Sequence, residues 1–194
     1  GTSISFGTPV VHSSATTGSH ALTFDSNSNK VVVGYTYGAK VGTVSGTSIS
    51  FGSQTAFLSS NASRVSMVFD SSNNKIVVSA RAQSDDESFA IVGTVSGTSI
   101  SFGTAVQIGT SINNNSISNV FDSNSNKVVI AFGDGENSNR GTALVGTVSG
   151  TSISLGSATV FNTSEIFINQ SSFNTQNNKV VLVYRSSHKI TFIE

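Results

Sequence analysis

The sequence lacks several residue types on which whole classes of protein depend. It contains no cysteine or tryptophan, one proline and one methionine in 194 residues, and only 10% of its residues are charged. Without cysteine the chain can form no disulfide, no thiolate nucleophile and no cysteine-ligated zinc site. Ten basic residues balance ten acidic ones. A net charge of zero leaves no electrostatic footprint for nucleic acid or for an anionic membrane.

The composition that remains favours strands. Val, Ile, Phe and Thr dominate the apolar segments, and the chain has 13 phenylalanines. β-Branched and aromatic residues are typical of strands, whereas the good helix formers are sparse here. No apolar run approaches the roughly 18 residues that span a bilayer as a helix. We therefore predict an all-β chain that forms one domain over residues 1–194, without membrane insertion.

A repeat fills the chain. GTSISFG begins at Gly1, Gly46 and Gly97, and its variant GTSISLG begins at Gly150. The spacings between these starts are 45, 51 and 53 residues. Periods of this length are typical of solenoids and propellers, in which each unit is one supersecondary motif. The chain begins on a repeat boundary without Met, which indicates an excised or processed module.

Each unit has the pattern of four short strands joined by hairpins. In the first unit the apolar segments are 20–25, 30–35, 40–45 and 47–51, and Asn, Ser and Gly fill the gaps. Those residues supply turn chemistry, so the four segments predict one small antiparallel sheet. Such a sheet cannot bury both faces alone. Radial stacking against similar sheets would make it a blade of a β-propeller.

The unit boundaries predict a four-bladed β-propeller with four antiparallel strands per blade, at about 20–51, 65–102, 117–155 and 169–194. The last blade has only three strands by this interpretation. We expect residues 2–6 to supply its outer strand and close the ring, which would remove an exposed edge. One phenylalanine recurs on the innermost strand of each blade. We expect these four side chains to be buried between blades: Phe24, Phe69, Phe121 and Phe173.

The units differ in length almost wholly in the loop between their second and third strands. Because strand directions alternate within a blade, these loops and the blade connectors emerge on one face of the disc. Variable loops on a rigid scaffold are where binding residues concentrate, although loops on which nothing depends would vary in the same way. We predict that any binding site lies on this variable-loop face, between the loops rather than in a narrow central channel.

The charged residues that the repeated turns do not use concentrate in the variable loops. We expect three arginines to donate hydrogen bonds to a ligand, three acids to accept them, and one tyrosine to offer a stacking surface. These candidates are Arg81, Arg140 and Arg185; Asp85, Asp134 and Glu136; and Tyr37. Arg81 and Arg185 hold the same place in their units, and a clamp formed by them would suit an anionic sugar or another carboxylate. An ion pair with an acid of a neighbouring blade is equally consistent with the pattern.

The sequence contains no recognisable catalytic or metal-binding motif. There is no G-x-S-x-G elbow and no H-E-x-x-H motif. The acidic run 85–87 lacks the spacing of a calcium loop, and the scattered acids nominate no glycosidase pair. We therefore predict no catalytic residue, no cofactor, no metal site and no enzymatic activity.

Three segments carry a resemblance to a known group of repeats: VGTVSGTSISFG, FDSNSNKVVV and GDGENSNRGTALVGTVSG. The sequence resembles, over all four units, the propeller-type repeats of structural and tail-fibre-like proteins of marine, cyanophage-like bacteriophages and of ocean metagenomic sequences. Members of that group often carry Tyr-Arg-Asp at the end of the second strand. Here Tyr184 and Arg185 match the first two positions, Arg81 the middle one and Asp134 the last. The resemblance implies a role on a virion surface or in adhesion.

These inferences converge on a non-enzymatic recognition or adhesion module, virion-associated or extracellular, that exists as a monomer. The expected partner is a cell-surface glycan or another virion protein, bound through the variable-loop face. The polar Asn and Ser side chains and the aromatic rings of the loops suit neutral sugars, through hydrogen bonds and ring stacking. A purely structural spacer or display domain without a ligand is the alternative, and a glycan hydrolase with an unrecognised site ranks third. A glycan array would separate the first two, and the third requires release of reducing sugar.

Overall fold

The all-β prediction is confirmed. The computed structural model of the chain describes residues 2–15, 17–109, 112–186 and 189–193, and the side chains of 113–116 and 168–169 are not described. Within these ranges the chain forms sixteen strands: β1 His20–Asp25, β2 Lys30–Tyr35, β3 Gly38–Ser45, β4 Ser48–Phe51, β5 Ala62–Asp70, β6 Lys75–Ala82, β7 Ser88–Ser96, β8 Ser99–Phe102, β9 Val106–Gly109, β10 Ile112–Asp122, β11 Lys127–Asp134, β12 Arg140–Ser149, β13 Ser152–Leu155, β14 Thr159–Asn174, β15 Lys179–Ser186 and β16 Lys189–Ile193. The one helical element in the described ranges is a 3-10 turn at Gly135–Asn137. No helix there is long and apolar enough to cross a membrane.

Short turns set the hairpins. Asp25 Oδ1 accepts the backbone N–H groups of Asn27 at 2.9 Å and Ser28 at 3.0 Å, which closes the turn between β1 and β2. At Asp122 burial raises the pKa, but hydrogen bonds from Ser125 and Asn124 outweigh it and hold the pKa below its usual value. The turns have a local cause, because a short carboxylate satisfies the backbone donors of its own turn.

Glycine makes the other type of turn. Gly46, Gly97 and Gly150 have φ of 57°, 60° and 60°, and each is the first of the two residues that join the third strand to the outer strand. A positive φ at this first position is the requirement of a type II′ hairpin turn, which glycine meets without steric cost. The repeated Ser-Gly-Thr-Ser sequence therefore fixes the register of three hairpins.

The sheets are not four separate sets of four strands. β1–β4 form one sheet, which we call blade one, whereas in blade two (β5–β9) both β8 and β9 pair with β7. Blade three (β10–β13) and the last blade (β14–β16) share a seven-stranded sheet, because the long strand β14 pairs first with β12 and then with β15. In the first three blades the third strand is longer than the four-residue outer strand. The connector that follows the outer strand therefore pairs with the same edge of the third strand.

Neighbouring blades bury apolar side chains between them. Val32 and Val41 of blade one pack in one cluster with Met67 and Ile76 of blade two. A second cluster joins blade two to blade three, and a third joins blade three to the last blade. Of the inner-strand phenylalanines, three are half-buried rather than buried, and Phe24 is exposed. Phe24 is exposed because no described blade covers its side of blade one.

The predicted closure by residues 2–6 is not present. These residues form no strand, and Phe6 is 84% exposed. The segment is nevertheless docked on blade one, where Gly7 abuts the carbonyl of Thr47 so closely that a Cβ would overlap it. Gly52 abuts Thr98 in the same way at the next joint. The N-terminal segment thus lies where a connector from a preceding blade would lie.

The register of the last blade explains the missing pairing. Ile193 lies opposite Leu182, so it occupies the place that Lys40 occupies opposite Val33 in blade one. The outer strand of blade one pairs only with residues after that place, at 42–45. The described part of β16 therefore ends before the level at which an outer strand pairs. Glu194, the last residue of the predicted fourth blade, lies outside the described residues.

Candidate functional site

A polar cavity on the variable-loop face lies between blade one and blade two. Its volume is about 380 Å³, within the usual range of ligand sites. We call it the arginine pocket and define it by its lining: Gly18, Ser19, Thr36, Ser63, Arg64, Arg81, Gln83 and Asp86. The N–H of Ala62 donates to the Thr36 carbonyl at 2.7 Å beside this cavity, so the two blades are fixed to each other at its edge.

Arg64 reaches the pocket through an irregularity in its strand. The pairing of β5 with β6 shifts between Ser63 and Ser66, and Arg64 has a φ of 52°. A positive φ is rare for a side chain of this size and costs of the order of 1–3 kcal/mol, which the surroundings must offset. The Arg64 N–H donates to Ser19 Oγ at 2.8 Å, which stabilises the bulge from blade one. Bulges of this kind redirect side chains beside functional sites.

Two guanidinium groups and one carboxylate line the pocket. Arg81 forms an ion pair with Asp86, whose side chain is 57% exposed. Burial lowers the pKa of Arg64 from its usual value, the neighbouring Arg81 lowers it further, and Asp86 opposes the shift. The Nε atoms of both arginines are buried and have no hydrogen-bond partner among the described residues. The lining of the pocket therefore carries a surplus of positive charge.

This donor set fits a planar anion with hydroxyl groups. A guanidinium presents N–H groups in a fixed fork that matches a carboxylate, and burial strengthens such a pair. Ser19, Ser63 and Thr36 add hydroxyl groups around the two arginines, and Gln83 adds an amide. Polar groups of these kinds hydrogen-bond to sugar hydroxyls equally well as donors or acceptors.

Asp85 lies apart from Arg81 although the two residues are close in sequence. It accepts hydrogen bonds from the Glu87 N–H and from Ser84 Oγ, both at 3.1 Å, and so holds its own loop. It lines a different cavity, of about 430 Å³, together with Phe57 and Phe102. Arg81 and Asp85 therefore line two different cavities, and a ligand-binding role for Asp85 stays a prediction.

The three candidates of blade three stay within their own loop. Asp134 accepts the Glu136 N–H at 3.2 Å and begins the 3-10 turn, while Glu136 is exposed. Arg140 Nη1 donates to Asn137 Oδ1 at 3.2 Å. Nearby, Asn139 Nδ2 donates to Glu165 Oε1 at 3.1 Å. These contacts order the loop, and a ligand-binding role for its residues stays a prediction.

Arg185 and Tyr37 lie on two further blades. The Arg185 guanidinium lies over the ring of Phe167, 4.2 Å from the ring centroid, and the side chain is otherwise exposed. Tyr37 is half-buried with its ring edge-on to Tyr35, and its carbonyl accepts Gln54 Nε2 at 3.0 Å. The stacking role assigned to Tyr37 stays a prediction.

A second polar cavity runs along the inner strands. Its volume is about 340 Å³, and the narrow central channel of a closed ring stays a prediction. Asn119 Nδ2 donates to the carbonyls of Ser66 and Val77, both at 3.3 Å, and Ser118 hydrogen-bonds Ser171 at 2.7 Å. These groups hold one blade to the next. The arginine pocket differs because it presents charged donors.

The sequence pointed to Arg81 and missed Arg64 and Asp86. Arg64 was assigned to a connector, because blade two was predicted to begin at residue 65. A usable signal was present, since Arg64 and Glu165 are the only charged residues in the four connectors 7–19, 52–64, 103–116 and 156–168. Charge is rare in this chain, so a charged residue at such a position marks an unusual contact.

The site contains no grouping typical of a metal centre. Among the described residues, no three His, Asp or Glu side chains come together as potential metal ligands. No family model and no curated protein matches the chain.

Proposed function

We propose that the chain is a non-enzymatic recognition or adhesion module that binds the carboxylate of an acidic cell-surface glycan in the arginine pocket. The observation that carries this proposal is that two arginines line one pocket with a single carboxylate, and that carboxylate is paired with Arg81. Two positive charges and one negative charge leave the pocket with a net positive charge, which favours a second anion.

The loop around Asp86 suits an exchange of anions. Arg81 lies in the regular strand β6, whereas Asp86 lies in an exposed loop with a φ of 65°. An incoming carboxylate can therefore pair with Arg81 while Asp86 moves toward solvent, or it can bind beside Asp86 on Arg64. Because most of the Asp86 side chain is already hydrated, its displacement costs little.

The pocket chemistry supports binding rather than hydrolysis. Glycosidases act through two carboxyl groups on either side of the scissile bond. Asp86 is the one carboxylate in the lining of the arginine pocket, and it is ion-paired. The virion-associated or extracellular setting, and the propeller-type closure of the blades, rest on the resemblance and on the repeats rather than on this pocket.

The test is a pair of ligands that differ only in charge. We expect a galacturonate oligosaccharide to bind, measured by isothermal titration calorimetry, and its methyl ester to bind at least tenfold more weakly. A hydrogen bond to a charged group contributes about 1.5–3 kcal/mol, so Arg81→Gln should weaken binding roughly tenfold to 150-fold. Arg185→Gln is the matched control, because Arg185 occupies the same place in the last blade.

Three outcomes would contradict the proposal. Absence of binding by both the acid and the ester, together with no signal for acidic glycans on an array, would favour a structural spacer. Equal losses in Arg81→Gln and Arg185→Gln would place the site elsewhere. Release of reducing sugar from the oligosaccharide would show a hydrolase.

A further inference from the structure

The two ends of the blade array expose apolar side chains of the kind that its internal joints bury. Of the eleven large hydrophobic side chains exposed in the described part of the chain, eight lie at the two ends. They are Ile4, Phe6, Val10 and Val11 in the N-terminal segment, Leu22 and Phe24 on β1, and Ile190 and Phe192 on β16. Exposed apolar side chains gathered in this way mark an interaction site.

We call Val10, Val11, Leu22 and Phe24 the leading surface, and Ile190 and Phe192 the trailing surface. At the joint between blades one and two, Met67 and Phe69 pack in the cluster that contains Val32 and Ala39 of the preceding blade. Leu22 and Phe24 hold the same two places on β1. The leading surface therefore faces the side from which a preceding blade would pack.

At each internal joint the connector also pairs with the third strand of the blade before it. The pairs are Ala39 with Thr55, Ala90 with Val106, and Ala143 with Thr159. Each connector residue in these pairs lies four positions after the last residue of the outer strand. Val10 lies four positions after Phe6, so it is the equivalent residue of the N-terminal segment, and no described residue pairs with it.

The trailing surface supplies the matching position. Phe192 lies opposite Val183 on β15, as Ala39 lies opposite Gly34 on β2. The outer edge of β16 has no partner in the described part of the chain, and Phe192 and Ile190 are 69% and 68% exposed. A free strand edge with exposed apolar side chains is a template for another strand.

We propose that the trailing surface of one chain pairs with the leading surface of a second copy of this chain, head to tail. The register of the internal joints sets Phe192 opposite Val10 and Thr191 opposite Val11, in antiparallel pairing. A second copy is the occupant because every chain carries both halves of one joint, and that joint already occurs three times inside the chain. The association continues an existing interface rather than requiring a new one.

Phe192 distinguishes the proposed joint between two chains from the joints inside one chain. The equivalent residues of the three earlier blades are alanines: Ala39, Ala90 and Ala143. The larger ring would insert against the leading surface. A head-to-tail interface closes into a ring if its rotation allows and otherwise grows into a filament. Two chains would bring eight blades together, within the range of about four to eight for propellers.

The test is the mass of the chain in solution, measured by light scattering and by sedimentation over a wide concentration range. We expect the wild-type chain to associate, and Val11→Asp and Phe192→Asp each to weaken association at least about thirtyfold, as for a hot-spot residue. Both side chains are exposed in the single chain, so circular dichroism should show an unchanged fold. Val160→Asp is the matched control, because Val160 is also exposed but lies at the joint between blade three and the last blade, where it pairs with Thr142.

Mixing the two variants distinguishes the proposal from closure within one chain. The Val11→Asp chain keeps its trailing surface and the Phe192→Asp chain keeps its leading surface, so an equimolar mixture should form one-to-one pairs and nothing larger. A monomeric wild-type chain would overturn the proposal. It would also be overturned if the mixture stayed monomeric, or if Val160→Asp weakened association as much as the end variants. Monomers of wild type with Val11 and Phe192 protected from solvent would indicate closure within one chain.

Discussion

Phe57 and His12 occupy the same place in the repeat, six residues after the last residue of an outer-strand sequence, yet they lie in different environments. Phe57 is 6% exposed, and its ring centroid lies 5.7 Å from that of Phe102. His12 is half-buried beside Tyr35, with ring centroids 5.0 Å apart. A connector therefore docks on the blade that follows it whether or not a blade precedes it, but burial is complete only between two blades.

The contact of His12 with blade one depends on protonation, whereas the contact of Phe57 between blades one and two does not. Burial lowers the pKa of His12, and the nearby positive charges of His20 and Lys40 lower it further. Lys40 Nζ donates to the His12 carbonyl at 2.6 Å, and the imidazole lies against the phenol ring of Tyr35. The folded chain therefore favours the neutral imidazole.

The largest expected difference between the two joints comes from removing the side chains that occupy them. Phe57→Ala should lower the free energy of unfolding by about 3–5 kcal/mol, because it leaves a cavity between two blades. His12→Ala should lower it by less than about 1 kcal/mol, because His12 contacts one blade only. Chemical denaturation measures both values. Equal losses would mean that the two joints bury their side chains to the same extent.

A smaller difference is expected from filling the close contact at each joint. A Cβ on Gly52 would overlap the Thr98 carbonyl, so Gly52→Ala should destabilise the chain by about 1–3 kcal/mol. Gly7→Ala meets the Thr47 carbonyl in the same way, but the N-terminal segment can shift because nothing packs behind it. Thermal unfolding should show almost no change for Gly7→Ala. A loss as large as that of Gly52→Ala would show that the segment is held from both sides.

The smallest expected effect comes from giving the His12 position the phenylalanine that Phe57 supplies between blades one and two. His12→Phe should raise the stability at neutral pH by about 1 kcal/mol, or the Tm by roughly 2–4 °C. As the pH falls below about 6.5, the unfolded wild-type chain takes up a proton on His12 before the folded chain does, so wild type loses stability toward acid pH. The difference in Tm should therefore widen between neutral pH and pH values below 6.5. A constant difference would show that His12 is protonated equally in both states.

Local rules made the hairpins predictable, whereas the ends of the array depended on register. Gly46 and Asp25 mark their turns through chemistry that acts within four residues. In blade one the hairpin between the second and third strands pairs Tyr35 with Gly38, whereas in the last blade it pairs Ser186 with Lys189 and so sets Ile193 opposite Leu182. A change of a few residues in one loop therefore decided whether an outer strand could pair.

The candidate site was predictable only in part for a similar reason. Arg81 lies at the end of a regular strand, so its place could be read from the repeat. Arg64 reaches the arginine pocket through a bulge and a positive φ, and neither can be predicted from a single sequence. The position of Asp86 depends on the path of an exposed loop.

The two-residue turns at Gly46, Gly97 and Gly150 also protect the chain from exchanging its own strands. The hairpins that they join are nearly identical in sequence, so an outer strand of one blade would match the third strand of another in the same register. A link of two residues holds the correct partner at an effective concentration in the millimolar range or above. It also lets the hairpin form within about 1–10 μs, before distant segments meet. Lengthening one of these turns would remove that advantage and allow shuffled blades during refolding.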